Sequence, residues 1–222
     1  MASPSQPTSQ KKRILSGVKP TGKVHIGNYL GAMQGHVNLQ DDRENYIFIA
    51  DLHSLTTVKN KAELQELILD LAMDYLALGL DPNKAVFFRQ SDVPEHAELT
   101  WVLSCLTPMP MLELAHAYKD AVAKGIKEIN AGLFTYPVLM AVDILIYKPD
   151  IVPVGKDQKQ HVEIARDLAG KFNRTFGEVF KLPTPYIPEE VAVVIGTDGQ
   201  KMSKSYGNTI EIFASDKTLK KQ

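Results

Sequence analysis

Short apolar runs alternate with longer amphipathic stretches from residue 13 onward. The runs at 13–17 (RILSG), 45–51 (NYIFIAD), 85–91 (AVFFRQS) and 150–155 (DIVPVG) are β-branched or aromatic and end in turn or polar residues, as strands buried on both faces do. Between the second and third, Leu64, Leu67, Ile68, Leu71, Tyr75 and Leu78 recur at steps of three and four, one face of a helix, and Asp81-Pro82 marks its exit. No internal repeat or low-complexity insert interrupts this order. Strand and helix in alternation predict an α/β chain on a parallel sheet. In such sheets ligands bind beyond the carboxyl ends of the strands, which directs attention to the residues just after each run.

Composition narrows the class. With 222 residues and 44% hydrophobic content, the chain can bury a core in one or at most two domains. A formal net charge of -1 and a pI near 6.6 provide no global basic field, so a nucleic-acid partner would have to be held locally. Cys105 is the only cysteine, which excludes an internal disulfide and a multi-cysteine zinc site; it is expected as a buried thiol in a reducing compartment. No apolar run approaches the roughly 20 residues of a membrane span, and the opening MASPSQPTSQ has no apolar signal core. A cytoplasmic chain with a disordered tail over residues 1–12 is expected.

Four stretches carry candidate chemistry. After the first strand comes GVKPTGKVHIGNYLGAMQG, with glycines at 17, 22, 27, 31 and 35 and a helix expected to begin around Ile26 to Asn28. Gly22 and Gly27 permit close backbone approach, and the free amides of a helix start favour a phosphate, with His25 and Asn28 as added donors; the plainer reading is a glycine turn with a capping Asn. In TYPVLMAVDILIY (135–147), Thr135 is read as a cap and Pro137 as a first-turn residue. Tyr136, Met140 and Asp143 then share one stripe of an almost wholly apolar helix. A carboxylate there needs a partner, either an internal Arg or backbone donor or the N–H of a ligand. VPVGKDQKQHVE (152–163) follows the last strand. Gly155 allows a ribose or adenine to approach, and Asp157 and Gln158 can hydrogen-bond a sugar hydroxyl or an ammonium group, although a polar helix cap would look the same. Finally, KMSKSYGN (201–208) sets two lysines among hydroxyl groups, between Gly199 and Gly207 as possible hinges.

PTGKVHIGN (20–28) and KMSKS (201–205), about 175 residues apart, together resemble the two signature sequences of class I aminoacyl-tRNA synthetases. With GLFTYPVLMAVDILIY and DIVPVGKDQKQHVEIARDLAGKFN, the chain from about 13 to 210 is similar to the tryptophanyl branch of bacterial type. The resemblance implies a Rossmann-like, doubly wound parallel sheet over 13–210, with a helical insertion at about 92–132 as the dimer interface, around Trp101, Met109 and Met111. The implied reaction is activation of L-tryptophan by ATP with Mg2+, then transfer to tRNA(Trp), by a homodimer not bound to membranes. No protein nucleophile is needed, so positioning and cationic donors should carry the rate. His25, Asn28, Lys201 and Lys204 take the catalytic roles by this resemblance. ATP would be held by Lys19, Pro20, Thr21, Gly27, Asn28, Gly155, Lys156, Asp157, Val194, Lys201, Met202, Ser203, Lys204 and Ser205. Asp143 would receive the indole N–H, with Met140 and Tyr136 flanking, Gln158 on the main-chain groups, and Leu15, His53, Val152 and Val154 lining the pocket. No metal ligand set is implied. The first signature ends in Asn28 rather than a second His, and Lys19 stands where many relatives have Gln. The family normally continues beyond the lysine loop into a helical anticodon-reading domain. Residues 211–222 would be the start of that region, with the transfer step impaired in its absence. Tyrosyl-tRNA synthetase, whose phenol could also reach Asp143, and a non-catalytic nucleotide- or RNA-binding paralogue are the alternatives.

Overall fold

The structure, a computed structural model, describes residues 11–154, 158–186 and 194–220. Three parallel strands, β1 (Arg13–Val18), β2 (Glu44–Ile49) and β3 (Ala85–Arg89), lie side by side in the order β1-β2-β3. On the far edge of β1, Ile14 bridges Ile151 in parallel, bringing in β4 (Val152–Pro153), which pairs with β5 (Pro185–Tyr186). The spatial order is therefore 3-2-1-4-5, and the direction in which successive strands are added reverses between β1 and β4, where a doubly wound sheet opens its ligand crevice.

The first crossover runs through α1 (Ile26–Asn28), a π-helical turn (Tyr29–Met33) and α2 (Gln34–Asn38). The second uses α3 (Asp51–Ser54) and α4 (Lys61–Ala77). A 3₁₀ turn (Gln90–Asp92) leads to α5 (Glu95–Ser104), α6 (Met109–Glu113) and α7 (His116–Ala123). Then come α8 (Ala131–Ile146), α9 (Lys159–Phe176) and, after β5, a 3₁₀ turn (Lys204–Tyr206) and α10 (Asp216–Leu219).

The two-residue period of β2 divides the core. Ile47 and Ile49 pack with Val24, Met33, Leu71 and Tyr75 on one face. Phe48 and Ala50 pack with Leu103, Val138, Val142, Ala165 and Leu168 of α5, α8 and α9 on the other. Gly17 is opposite Phe48 in the ladder, and a Cβ there would meet the ring at 2.3 Å, so only glycine admits this face-to-face packing. His36 is buried on the first face, 2.9 Å from the Tyr75 hydroxyl, and burial pushes its imidazole down to about 4.

Several expectations need correction. The helix carrying Asp143 begins one turn early: Asn130 caps it, its Oδ1 accepting from Leu133 N at 2.9 Å, while Thr135 donates to the Ala131 carbonyl. Pro137 is thus an interior residue and leaves the Leu133 carbonyl without its helical donor. Cys105 is exposed, because the buried face of α5 carries His96 and Leu103 and two further residues turn the chain more than half-way round. The fourth strand is only two residues long, and β5 carries no sequence pattern that announced it. Pairing reaches back to Lys12, whose carbonyl accepts from Glu44 N, whereas the expected disorder of residues 1–10 concerns positions outside those described.

Candidate active site

At the reversal point the turn after β1 closes on the start of α1. His25 is the N-cap of α1: its Nδ1 accepts from Asn28 N at 3.3 Å, and Asn28 Oδ1 accepts from His25 N at 3.2 Å. This reciprocal box fixes both side chains that the sequence offered as phosphate donors. Burial, then the neighbouring Lys204 ammonium, lowers the His25 imidazole. Since Nδ1 accepts, the neutral ring carries its hydrogen on Nε2. A segment distant in sequence, residues 210–212, is laced onto this turn, with Ile26 N donating to Ile210 O and Ile212 N to Val24 O.

That lacing delivers the lysine loop. Ile195 and Lys201 bridge as a hairpin, and Met202 N donates to Val194 O at 2.8 Å. Asn208 is the hub: its Nδ2 donates to Asp198 Oδ1 at 2.7 Å and to Lys201 O at 3.1 Å, and its Oδ1 accepts from Ser203 N at 2.7 Å. Across the cleft, Lys204 Nζ donates to Thr21 O at 3.3 Å, and the Gly27 amide donates to Met202 Sδ at 3.3 Å. A thioether is a weak acceptor, so that amide remains available to a stronger one.

The cleft between turn and loop has a volume of about 440 Å³, with Lys19, Thr21, Gly27, Asn28, Val194, Lys201, Met202 and Lys204 on its wall. Burial pushes the ammonium groups of Lys19 and Lys204 down, and for Lys204 the more distant Glu211 and Asp74 oppose this. Lys19 is steadied by Thr56 and Thr57, at 3.2 and 3.1 Å. Partly desolvated cations with backbone amides beside them form an anion site. Pro20 lies behind the wall, its carbonyl accepting from Ser54 Oγ, and Ser203 and Ser205 bond to each other at 2.8 Å on the outer side of the loop. Gly155, Lys156 and Asp157 lie outside the described residues.

The second centre is Asp143, 2% exposed on α8. The partners are neither an Arg nor the backbone. Oδ1 accepts from Gln90 Nε2 at 2.6 Å and from His96 Nδ1 at 2.7 Å, and Oδ2 from His53 Nε2 at 2.7 Å. Burial would raise this carboxyl, but the hydrogen bonds from His53 and His96 outweigh it and hold the group below the ordinary carboxylate range. Tyr136 stands edge-on to His53, with centroids 6.3 Å apart, and its hydroxyl is 2.8 Å from His161 Nε2. Met140 is half-buried on the same helix and Gln158 caps α9. Leu15 and Val152 are packed into the core, with Val154 against its edge. Gln90 and His96 were not anticipated. Gln90 follows directly after β3, where strand-end logic could have flagged it, whereas His96 has no local signal.

Among the described residues no group of three His, Cys, Asp or Glu is arranged to hold a metal ion. Among those residues, too, no helix is long and apolar enough to cross a membrane.

Comparison with known proteins agrees with this fold. The tryptophan--tRNA ligase of Fusobacterium nucleatum is 59% identical over 212 residues, covering 95% of this chain and 65% of the ligase. Among solved structures, Campylobacter jejuni tryptophanyl-tRNA synthetase complexed with ADP and tryptophan superposes with a TM-score of 0.91 at 56% identity, over 95% of this chain and 66% of that one. Archaeoglobus fulgidus tyrosyl-tRNA synthetase complexed with L-tyrosine gives 0.72 at 25% identity, over 94% and 63%. This chain thus spans about two thirds of the length of the relatives it matches. The family model of tRNA synthetases class I (W and Y) matches residues 8–222, and the chain belongs to that family.

Proposed function

We propose that this chain is the adenylating part of a tryptophan–tRNA ligase. The carrying observation is the meeting of Thr21, Gly27 and Asn28 with Lys201 and Lys204 on one cleft at the reversal point of the sheet, joined by the Lys204 Nζ to Thr21 O bond. In the reaction an oxygen of the amino-acid carboxylate forms a bond to the α-phosphorus of ATP as the bond from that phosphorus to the bridging oxygen breaks and pyrophosphate leaves. Negative charge grows on the phosphate oxygens. Lys201, Lys204, the Gly27 amide and the Nε2 hydrogen of His25 are the donors that would meet it, with Lys19 on the opposite wall. Asp143, flanked by Tyr136 and Met140, would accept the indole N–H, since among the described residues Oδ2 takes one bond and a carboxylate oxygen accepts about two. Mg2+ would arrive on the nucleotide phosphates, because the described residues supply no cage for it, and no step here is assigned to it. Identity of 59% to the Fusobacterium and 56% to the Campylobacter tryptophan enzyme, against 25% to the Archaeoglobus tyrosine enzyme, favours tryptophan as substrate. tRNA(Trp) is the expected acceptor of the activated amino acid.

ATP–pyrophosphate exchange tests this directly. Tryptophan should stimulate exchange and tyrosine should not. Equal stimulation by both, or by neither, overturns the assignment.

A further inference from the structure

Asp143 is surrounded by donors whose own orientation is fixed, and none of the family signatures includes them. Gln90 and His96 are both 0% exposed, and burying an amide and an imidazole is costly unless each polar atom is used. Here each is. Gln90 Oε1 accepts from the Leu52 backbone N–H at 3.2 Å, which settles the amide orientation and turns Nε2 to Asp143. His96 lies between Asp143 Oδ1 at 2.7 Å and the Tyr147 hydroxyl at 2.8 Å. Burial first, and the charge of Asp143 second, raise the Tyr147 hydroxyl, which stays protonated; with Nδ1 donating to the carboxylate, Nε2 of the neutral ring accepts from it. The His96 hydrogen is thereby confined to Nδ1, facing the carboxylate. The Tyr147 ring is held in turn by Tyr46 and Phe88, at centroid distances of 5.6 and 5.4 Å.

We propose that His96, oriented by Tyr147, is a positioning residue for amino-acid specificity: with Gln90 it occupies Asp143 Oδ1 and leaves Oδ2 as a fixed acceptor, so that the site takes a side chain bearing a ring N–H. This rests on the reading of the chain as a tryptophan-activating enzyme. Three donors converging from α3, α5 and the end of β3 admit Asp143 only as an acceptor, because a protonated carboxyl would set its hydrogen against another donor. A ligand lacking the ring hydrogen leaves Oδ2 with His53 as its donor and its second accepting position unfilled in a buried place, and sites built on such a bond reject that ligand strongly.

The test compares tryptophan with its benzothiophene analogue, in which sulfur replaces the ring N–H, in ATP–pyrophosphate exchange by the chain and three variants. For the unsubstituted chain a preference for tryptophan in kcat/KM on the order of 10²-fold or more is expected. His96→Leu should raise the tryptophan KM about tenfold, leave the KM for ATP within about twofold, and lower the preference about tenfold. His96→Asn, whose Nδ2 can take the place of Nδ1, should return the preference to within about threefold of the unsubstituted value. Tyr147→Phe removes only the hydroxyl and should lower the preference several-fold, which keeps the test decisive should His96→Leu not fold. An unchanged preference in Tyr147→Phe and in a folded His96→Leu, or equal losses with both substrates, overturns the proposal. Absence of tryptophan-dependent exchange in the unsubstituted chain would instead overturn the reading of its activity, and calorimetric affinities for the two compounds would still test His96.

Discussion

Lys204 shows how a single side chain can be prepared for a partner that is not a protein group. As a whole the residue is exposed, yet its ammonium end is drawn down to Thr21 O and lies 3.7 Å from where a Cβ of Gly22 would stand. Burial lowers its pKa, so the charged form is held at some cost that an incoming phosphate would remove. In the proposed reaction the charge that such a lysine would meet is greatest as pyrophosphate departs. Lys204→Ala is therefore expected to lower kcat for tryptophan-dependent exchange about 10²- to 10³-fold, with a smaller change in the KM for ATP. Steady-state kinetics separate the two, and an equal loss in ATP affinity would show that Lys204 binds ground and transition states alike.

At the scale of elements, the lysine loop is a hairpin arm and a 3₁₀ turn pinned by one amide. Asn208 spends both ends of its carboxamide on Asp198, Lys201 and Ser203, and its side chain fills the space a Cβ at Gly196 would need, 2.4 Å away. Gly207, at a φ of 65°, makes the left-handed turn that brings Asn208 back under the loop. Asn208→Ala leaves the Ser203 N–H and two acceptors without their partner at a cost of about 1 to 3 kcal/mol, all of it local to the loop. Exchange activity should fall at least about tenfold, and amide hydrogen exchange over residues 201–208 should quicken, while the melting of the rest of the chain moves little. Unaltered protection of those amides would mean that the loop is held by its lacing to Val24 and Ile26 instead.

At the scale of the molecule, α5 to α7 leave a run of apolar side chains uncovered. Trp101 is 74% and Met109 58% exposed, with Leu114, Val122 and Ile126 beside them in sequence, while Met111 turns inward to the core. A patch of this kind is a protein interface more often than a solvated surface. A second copy of the chain is the expected cover, in keeping with the dimer that the family resemblance implies. Sedimentation should give a dimer at micromolar concentration, and Trp101→Lys should weaken it without lowering the affinity for ATP; a monomer at that concentration removes the proposal.

The pattern of residues alone determined the α/β alternation, the first three strands and the long helix of the second crossover, because buried strands and amphipathic helices must write their burial into their own periodicity. It also marked the two sides of the cleft, since glycine turns and lysine clusters are local. What it did not determine are features made by pairs distant in sequence. The short β4 and β5 exist only because Thr184 and Tyr186 offer carbonyls to Val152 and Val154. The helix of Asp143 starts at Asn130 because that cap outcompetes Thr135, which bonds back along the helix instead. The three donors of Asp143 come from positions 53, 90 and 96, and only the folding of three separate elements onto α8 brings them within 3 Å of one carboxylate. A carboxylate in an apolar helix announces that it needs partners; tertiary structure alone decides which they are, because desolvation penalises any arrangement that leaves it unpaired and does not specify the donor.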